Sequence, residues 1–415
     1  MPADELKQAA QIHRRWRGIG AVLFVTFYSF FFSLHFKLEK TAVYMSDGSW
    51  PALKSASVFN DLVLPLEHAG SKGTGKGSAF LLLHHPPARL LVKGWTLLTG
   101  SESAARRYAA GTFTAGAGAM MVLLMYQALM WAGLARLRAM IMAGILGCSV
   151  SVMFMAMLPQ PLIFSALGLT AVLAVVARGR SARTWEFPAA AFYAMCCSPW
   201  NLIPVFLMGA ISAAPAFRGR GFVRPIFGLL GGGLVLAALV LGAMKLQIVL
   251  YPHTVVDGSA LAENWKQALT LAADQTLDKS ALAYALSSGV ALPDWVVSFA
   301  KGPFPMIIWG WRFLLLMAAL GLIAAVRRSA VPLVAALMAL GWCVWFGALE
   351  FGDVQTPQAL WMPFLIFVVA LGLEAYARHS AYLRWPVAML QGVFLAFLVL
   401  HNTALLSQLW DSQAR

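Results

Sequence analysis

Charge is scarce in this chain. Asp, Glu, Lys and Arg make up 12% of its 415 residues, against 60% hydrophobic residues. A soluble domain carries roughly a quarter charged and about half apolar residues. The shortage excludes a soluble fold of this length, and the bilayer has to serve as solvent. Acids are the scarcer sign, 17 against 31 Lys and Arg, for a net charge of +14. A basic balance alone points to nucleic acid. Here, however, the cations sit in short clusters between apolar runs, as cytoplasmic loops do under the positive-inside rule, so no nucleic-acid partner is expected. Cysteine is limited to Cys148, Cys196, Cys197 and Cys343. All four lie in apolar stretches without C-x-x-C spacing, and they read as small buried hydrophobes rather than metal ligands. A cleavable signal peptide is also missing: the first apolar run, 18–36, is too long and has no small-residue cleavage site. It reads as an uncleaved span whose preceding His13, Arg14, Arg15 and Arg17 hold the N-terminus in the cytoplasm.

Long apolar runs are what the chain has in abundance. A span needs about 20 apolar residues, and eleven helices are predicted, at 18–36, 109–133, 139–158, 161–177, 187–199, 201–217, 225–250, 305–326, 330–350, 358–377 and 386–408. The fifth is short and is broken from the sixth at Ser198-Pro199-Trp200-Asn201, where proline ends a helix and frees backbone groups that must face protein or water. With eleven alternating spans, six arginine clusters fall on one side: Arg14/Arg15/Arg17, Arg136/Arg138, Arg178/Arg180/Arg183, Arg218/Arg220/Arg224, Arg327/Arg328 and Arg378/Arg384. The same alternation makes residues 84–99, with Arg89 and Lys93, an interfacial amphipathic helix rather than a span. The expected architecture is all-α and polytopic, one transmembrane domain over 1–415. A long outer loop runs over 37–108 and a second over 251–304. Loops of that length are uncommon without a function.

The few acids are concentrated there: ten of the 17 lie in the two outer loops. Asp47, in the turn Asp47-Gly48-Ser49-Trp50-Pro51, and Asp61 follow the first span. A carboxylate so placed can take a proton from an acceptor hydroxyl as a general base, or can serve as a helix cap or a solvated loop acid. His84-His85-Pro86-Pro87 then opens the interfacial helix, with both prolines expected in its first turn. Arg89 and Lys93, four apart, share a face and either hold a lipid phosphate or snorkel to anionic headgroups. The adjacent histidines point different ways, so no metal site is expected from them. The 70–77 segment, GSKGTGKG, nearly matches a phosphate-binding loop. It has Gly77 where Ser or Thr is required and no strand before it, and it reads as a loop. Arg312, just inside the eighth span, and Lys245, near the outer end of the seventh, are deeper cations. Each either faces a cavity or snorkels, and Glu350 and Asp353 lie at the depth of Arg312.

The order of these features resembles the GT-C class of membrane glycosyltransferases. The likeness rests on the first span and long loop with Asp47, then His85-Pro86-Pro87, then Thr99-Gly100-Ser101-Glu102-Ser103-Ala104-Ala105-Arg106 leading into the second span. The turn Pro159-Gln160-Pro161, the break at Ser198-Pro199-Trp200-Asn201 and the late Thr356-Pro357-Gln358 complete it. The likeness covers most of the chain in layout and short motifs in letters. It implies an active site on the periplasmic face of an inner membrane and a polyprenyl-phosphate sugar donor. It further implies a glycan or lipid acceptor, Asp47 as catalytic base with Asp61 as the alternative, and His85, Arg89 and Lys93 near the donor phosphate. Arg312 joins them as a phosphate-binding candidate. Gln160 is neutral where many members carry an acid, so no metal cofactor is expected. One base acting directly on the acceptor implies inversion at the anomeric carbon. Two rivals share the topology: a lipid-linked glycan polymerase, ligase or acyltransferase, and a transporter or lipid flippase.

Overall fold

The computed structural model describes residues 3–38, 62–63, 65, 78–159, 161–179, 182–213, 223–252, 307–326, 331–348 and 358–413. Asp47, Asp61, the 70–77 segment, Gln160, Glu350, Asp353 and the acids of the second outer loop lie outside them. The elements in chain order are α1 (Ala3–Leu38), α2 (Phe80–Thr99), α3 (Glu102–Trp131), α4 (Arg136–Cys148), α5 (Val150–Met157), α6 (Pro161–Arg178), α7 (Glu186–Cys197), a 3-10 turn Pro199–Asn201, α8 (Leu202–Ala213), α9 (Val223–Leu250), α10 (Ile307–Val326), α11 (Val331–Ala348), α12 (Gln358–His379), a 3-10 turn Ala381–Leu383 and α13 (Arg384–Gln413).

This is a helical, membrane-embedded protein. Among the described residues six stretches are long and apolar enough to cross a bilayer: Gly18–Lys37, Glu102–Trp131, Pro161–Arg178, Leu230–Leu250, Leu360–His379 and Ala381–Gln408. The bent pair α4–α5 makes a seventh if taken as one span. Helix occupies each of the eleven stretches expected from the sequence. However, α7 and α8 have 12 residues each, short of a core about 30 Å thick at about 1.5 Å per residue.

The expected single helix over 139–158 is broken, with a 62° bend between α4 and α5. In an apolar interior the carbonyls at the end of α4 need donors. Ser149 Oγ donates to the Leu146 carbonyl at 2.6 Å, and Asn402 Nδ2, from α13, donates to the Cys148 carbonyl at 2.7 Å.

Burial separates a centre from a periphery. In α12 89% of the spanning window is buried, whereas in α9 only 11% is. The apolar outer face of α9, with Leu234, Val235, Leu239 and Val249 exposed, suits lipid. Next to α12, α10 approaches so closely that a Cβ built on Gly372 meets the Ala318 backbone, and one on Gly321 meets the Gly372 carbonyl. Backbone against backbone cannot yield by rotamer change, and small residues are what permit such contacts in membranes. Gly372→Leu should therefore cost at least the roughly 1–3 kcal/mol of overpacking. A denaturant titration in detergent measures it, and a change below the error of that titration would mean the contact is not tight.

Three of the arginine clusters expected on one side do meet at one end of the bundle. Arg138 pairs with Glu374 through two hydrogen bonds (Nε to Oε2 2.8 Å, Nη2 to Oε1 3.0 Å), and Arg378 Nε reaches the same Oε1 at 3.2 Å. Arg378 Nη2 also donates to the Gly133 carbonyl at 2.6 Å, in the α3–α4 turn, where Gly133 has φ 89°. Arg178 Nη1 binds both oxygens of Glu186 at 3.0 Å and stacks over Trp131, 5.3 Å from its centroid. From that end α7 runs back along α6 over nearly its whole length, from Arg178–Glu186 to Ser165–Asn201. The break after α7 is closed by Asn201, whose Nδ2 donates to Ser165 Oγ and to the Ala194 carbonyl, both at 2.7 Å.

Candidate functional site

The other end of the bundle gathers the polar groups that the arginine-rich end lacks, around α2. This helix begins at Phe80, four residues before the expected start, so Pro86 and Pro87 fall in its second turn. The reason is a cap supplied from elsewhere in the chain. The first amide groups of a helix have no internal acceptor. Here Phe80 N donates to Ser78 Oγ at 3.4 Å and Leu82 N to Gln247 Oε1 of α9 at 3.1 Å. Gln247 Nε2 in turn donates to the Ser78 carbonyl at 2.7 Å, and Ala79 N to the Cys196 carbonyl, at the end of α7, at 3.0 Å. A single buried amide thus grips both sides of the α2 start. The two prolines bring no N–H to the Leu82 and Leu83 carbonyls, and both lie exposed on the outward side.

The C-terminal end of α2 is equally defined. Gly100 takes a left-handed conformation (φ 67°) and donates from its N–H to the Thr96 carbonyl. Ser101 then accepts from Ala104 N to start α3. A C-cap and an N-cap on adjacent residues make a sharp corner, which gives the Thr99-to-Arg106 motif a structural meaning. Its Glu102–Arg106 ion pair, 2.6 Å, is exposed and contributes little to stability. Trp95 ties the same turn down: its Nε1 donates to Thr112 Oγ1 at 3.1 Å and its ring stacks on Tyr108 and Phe32.

The histidines divide the work. His84 is buried among Phe80, Phe113 and Phe164. Its Nδ1 lies 2.8 Å from the Phe80 carbonyl and its Nε2 2.9 Å from the Tyr193 hydroxyl. A carbonyl only accepts, so Nδ1 carries the proton and Nε2 accepts from Tyr193. Both ring nitrogens are engaged, and no lone pair is left for a metal. Burial holds the His84 pKa down to about 4, against a smaller opposing effect of the Phe80 hydrogen bond. The neutral ring therefore persists in the fold until about pH 4, while an unfolded chain takes up a proton near pH 6.5. Stability from this group is complete above pH 6.5 and is lost as pH falls toward 4, by at most about 1.4 kcal/mol per pH unit. Melting in detergent at pH 7, 6 and 5 should fall more steeply for the wild type than for His84→Phe. Parallel curves would refute the assignment.

His85, Arg89 and Lys93 follow at four-residue spacing along one ridge of α2, and the ridge emerges step by step from protein to surroundings. His85 is buried, sharing a hydrogen bond of 3.2 Å with the Tyr251 hydroxyl and an edge-to-face ring contact at 5.3 Å. Arg89 is half-buried and donates from Nη1 to the Val63 carbonyl at 2.8 Å. Lys93 is exposed, beside exposed Leu90, Leu97 and Leu98. The face shared by Arg89 and Lys93 is therefore present, but only Lys93 points wholly outward.

Arg312 belongs to a different set of helices. It is exposed on α10, over Trp309 at 4.9 Å, and α10 packs on α12, α11 and α13, whereas α2 packs on α3, α9 and α7. Lys245 is exposed on α9, two residues before Gln247.

Sequence reasoning did not find Ser78, Tyr193, Gln247 or Tyr251. A usable signal existed for the last two: a glutamine and a tyrosine four apart, just after Lys245 at the end of a largely apolar span. Among the described residues no three of His, Cys, Asp and Glu come together as a metal site. His35, at the same end, donates from Nδ1 to the Met157 carbonyl at 2.6 Å and so closes the end of α5. No protein family, curated protein or solved structure matches the chain.

Proposed function

We propose that the protein is an inverting membrane glycosyltransferase of the GT-C type. It moves a sugar from a polyprenyl phosphate to a glycan or lipid acceptor on the periplasmic face of an inner membrane. The observation that carries this reading is the clamped helix α2. It lies opposite the arginine-rich end, which the positive-inside rule assigns to the cytoplasm, and its ridge carries half-buried Arg89 and exposed Lys93. Cations held there suit a lipid phosphate. Asp47 and Asp61 lie in the stretch of sequence between α1 and α2.

In the proposed step the acceptor hydroxyl oxygen attacks the anomeric carbon. The bond from that carbon to the phosphate oxygen breaks, and polyprenyl phosphate leaves with the electron pair. Lys93 and Arg89 stabilise the departing anion. The hydroxyl proton passes to the Asp47 carboxylate, or to Asp61 in its place. Arg312 approaches the phosphate only if the donor reaches across to α10.

The test is sugar transfer in proteoliposomes from a set of polyprenyl-phosphate monosaccharides. Consumption of one of them, with release of polyprenyl phosphate, supports the reading. Turnover only of diphosphate-linked oligosaccharides assigns a polymerase or ligase instead. One observation favours a second class: the bend between α4 and α5 inside the membrane, clipped by Asn402, resembles the broken helices of transporters. Movement of the lipid between leaflets without sugar transfer would establish a transporter or flippase.

A further inference from the structure

We infer that the arginine-rich end carries a binding site for the headgroup of an anionic phospholipid, built from the α3–α4 turn and the α12–α13 connection. The first observation is register. Gly144 packs against Leu395 and Gly392 against Ile141, so α4 and α13 run in the same direction with one constant offset. Followed to the first residue of α4, that offset puts Arg136 level with Val387, one turn from Arg384. Arg378 is bonded to the Gly133 carbonyl, so the start of α13, the end of α12 and the start of α4 converge at one depth.

The second observation is charge. Over 131–141 and 372–390 the chain carries Arg136, Arg138, Arg378 and Arg384 but a single acid, Glu374. That carboxylate is buried and already shared by Arg138 and Arg378. Half-buried Arg136 and exposed Arg384 have no ion pair among the described residues. Uncompensated positive charge therefore remains at the surface, with exposed His379 beside it.

The third observation selects a lipid over a soluble anion. Tyr382 and Trp385, on either side of Arg384, are 91% and 72% exposed, and Leu137 and Met140 of α4 are exposed below them. Aromatic residues so exposed at the end of a spanning helix sit at headgroup level, and basic pockets between helices on that side hold anionic headgroups. Ser380 fixes the presentation, accepting from Tyr382 N at 3.2 Å to form the turn between α12 and α13.

The experiment compares melting of the full-length protein in nanodiscs of phosphatidylcholine alone and with a minority of phosphatidylglycerol. The wild type should melt several degrees higher in the anionic discs. Arg136→Gln/Arg384→Gln should lose at least half of that rise while melting normally in neutral discs. Arg107→Gln, at the opposite end, should keep all of it. Native mass spectrometry of the wild type should show phosphatidylglycerol retained over phosphatidylcholine. An equal rise in the double variant, no rise in the wild type, or no selective retention would overturn the site. A rise reproduced in neutral discs by soluble glycerol phosphate would reassign it to a free phosphate.

Discussion

Glu374→Ala should lower the free energy of unfolding by about 3–5 kcal/mol. Glu374 is 4% exposed and, among the described residues, is the only carboxylate within reach of two guanidinium groups at the junction of α4, α12 and the α3–α4 turn. Removing it leaves the Arg138 charge buried with no counter-ion, and that penalty exceeds anything the intact pair contributes. Arg378 would keep the Gly133 carbonyl but lose its other partner. The consequence is specific: Arg138→Met combined with Glu374→Leu should recover much of the loss, because an apolar pair of similar volume avoids both desolvation costs. Denaturant titration in detergent of the wild type, the single variant and the double variant measures the cycle. A single variant within 1 kcal/mol of wild type, roughly the value of a solvated surface pair, would show that water reaches the network.

Asp47→Asn should reduce the turnover number for sugar transfer by about 100- to 10,000-fold, the range typical of a lost general base, under the proposed function. The amide keeps the size of the carboxylate and removes only its ability to accept the proton, so KM for the donor should change little. Asp61→Asn should leave turnover within a few-fold if Asp47 is the base, and the two effects exchange if the roles are reversed. Transfer that survives both substitutions would remove both residues from the mechanism while leaving the reaction class open. Lys93→Gln distinguishes a different part of the proposal. Its loss should leave the departing phosphate anion less stabilised and so lower the turnover number for the polyprenyl-phosphate donor.

Much of this architecture is legible in the residues themselves, and the reason is physical. Hydropathy over about 20 residues is a direct readout of the solvent around a helix, so α1, α3, α6, α9, α12 and α13 stand out in the sequence. Arg89 and Lys93 set α2 apart from these spans for the same reason. The bend between Cys148 and Val150 was not legible. Residues 145–154, Ile-Leu-Gly-Cys-Ser-Val-Ser-Val-Met-Phe, contain no proline, and the donor that tolerates the break, Asn402, is 254 positions away. The early start of α2 was hidden in the same way, because its cap is Gln247 rather than a neighbour in sequence. The candidate site is legible only in part. Its cations are on a helix that local pattern reveals, but the packing that buries His85 and turns Arg89 toward Val63 depends on elements distant in the chain.

The cap on α2 also carries a constraint on the order of manufacture. A chain inserted from its N-terminus completes α1, α2 and α3 long before residue 247 has been synthesised. Until then the first turn of α2 lacks the acceptor for Leu82 N–H and the donor to the Ser78 carbonyl, and His85 lacks Tyr251. The nascent protein must therefore hold an unfinished helix through the making of six further helices, α3 to α8. It finishes that helix only when the end of α9 arrives, so a chain truncated before Gln247 would carry the spans of its first half without a settled α2.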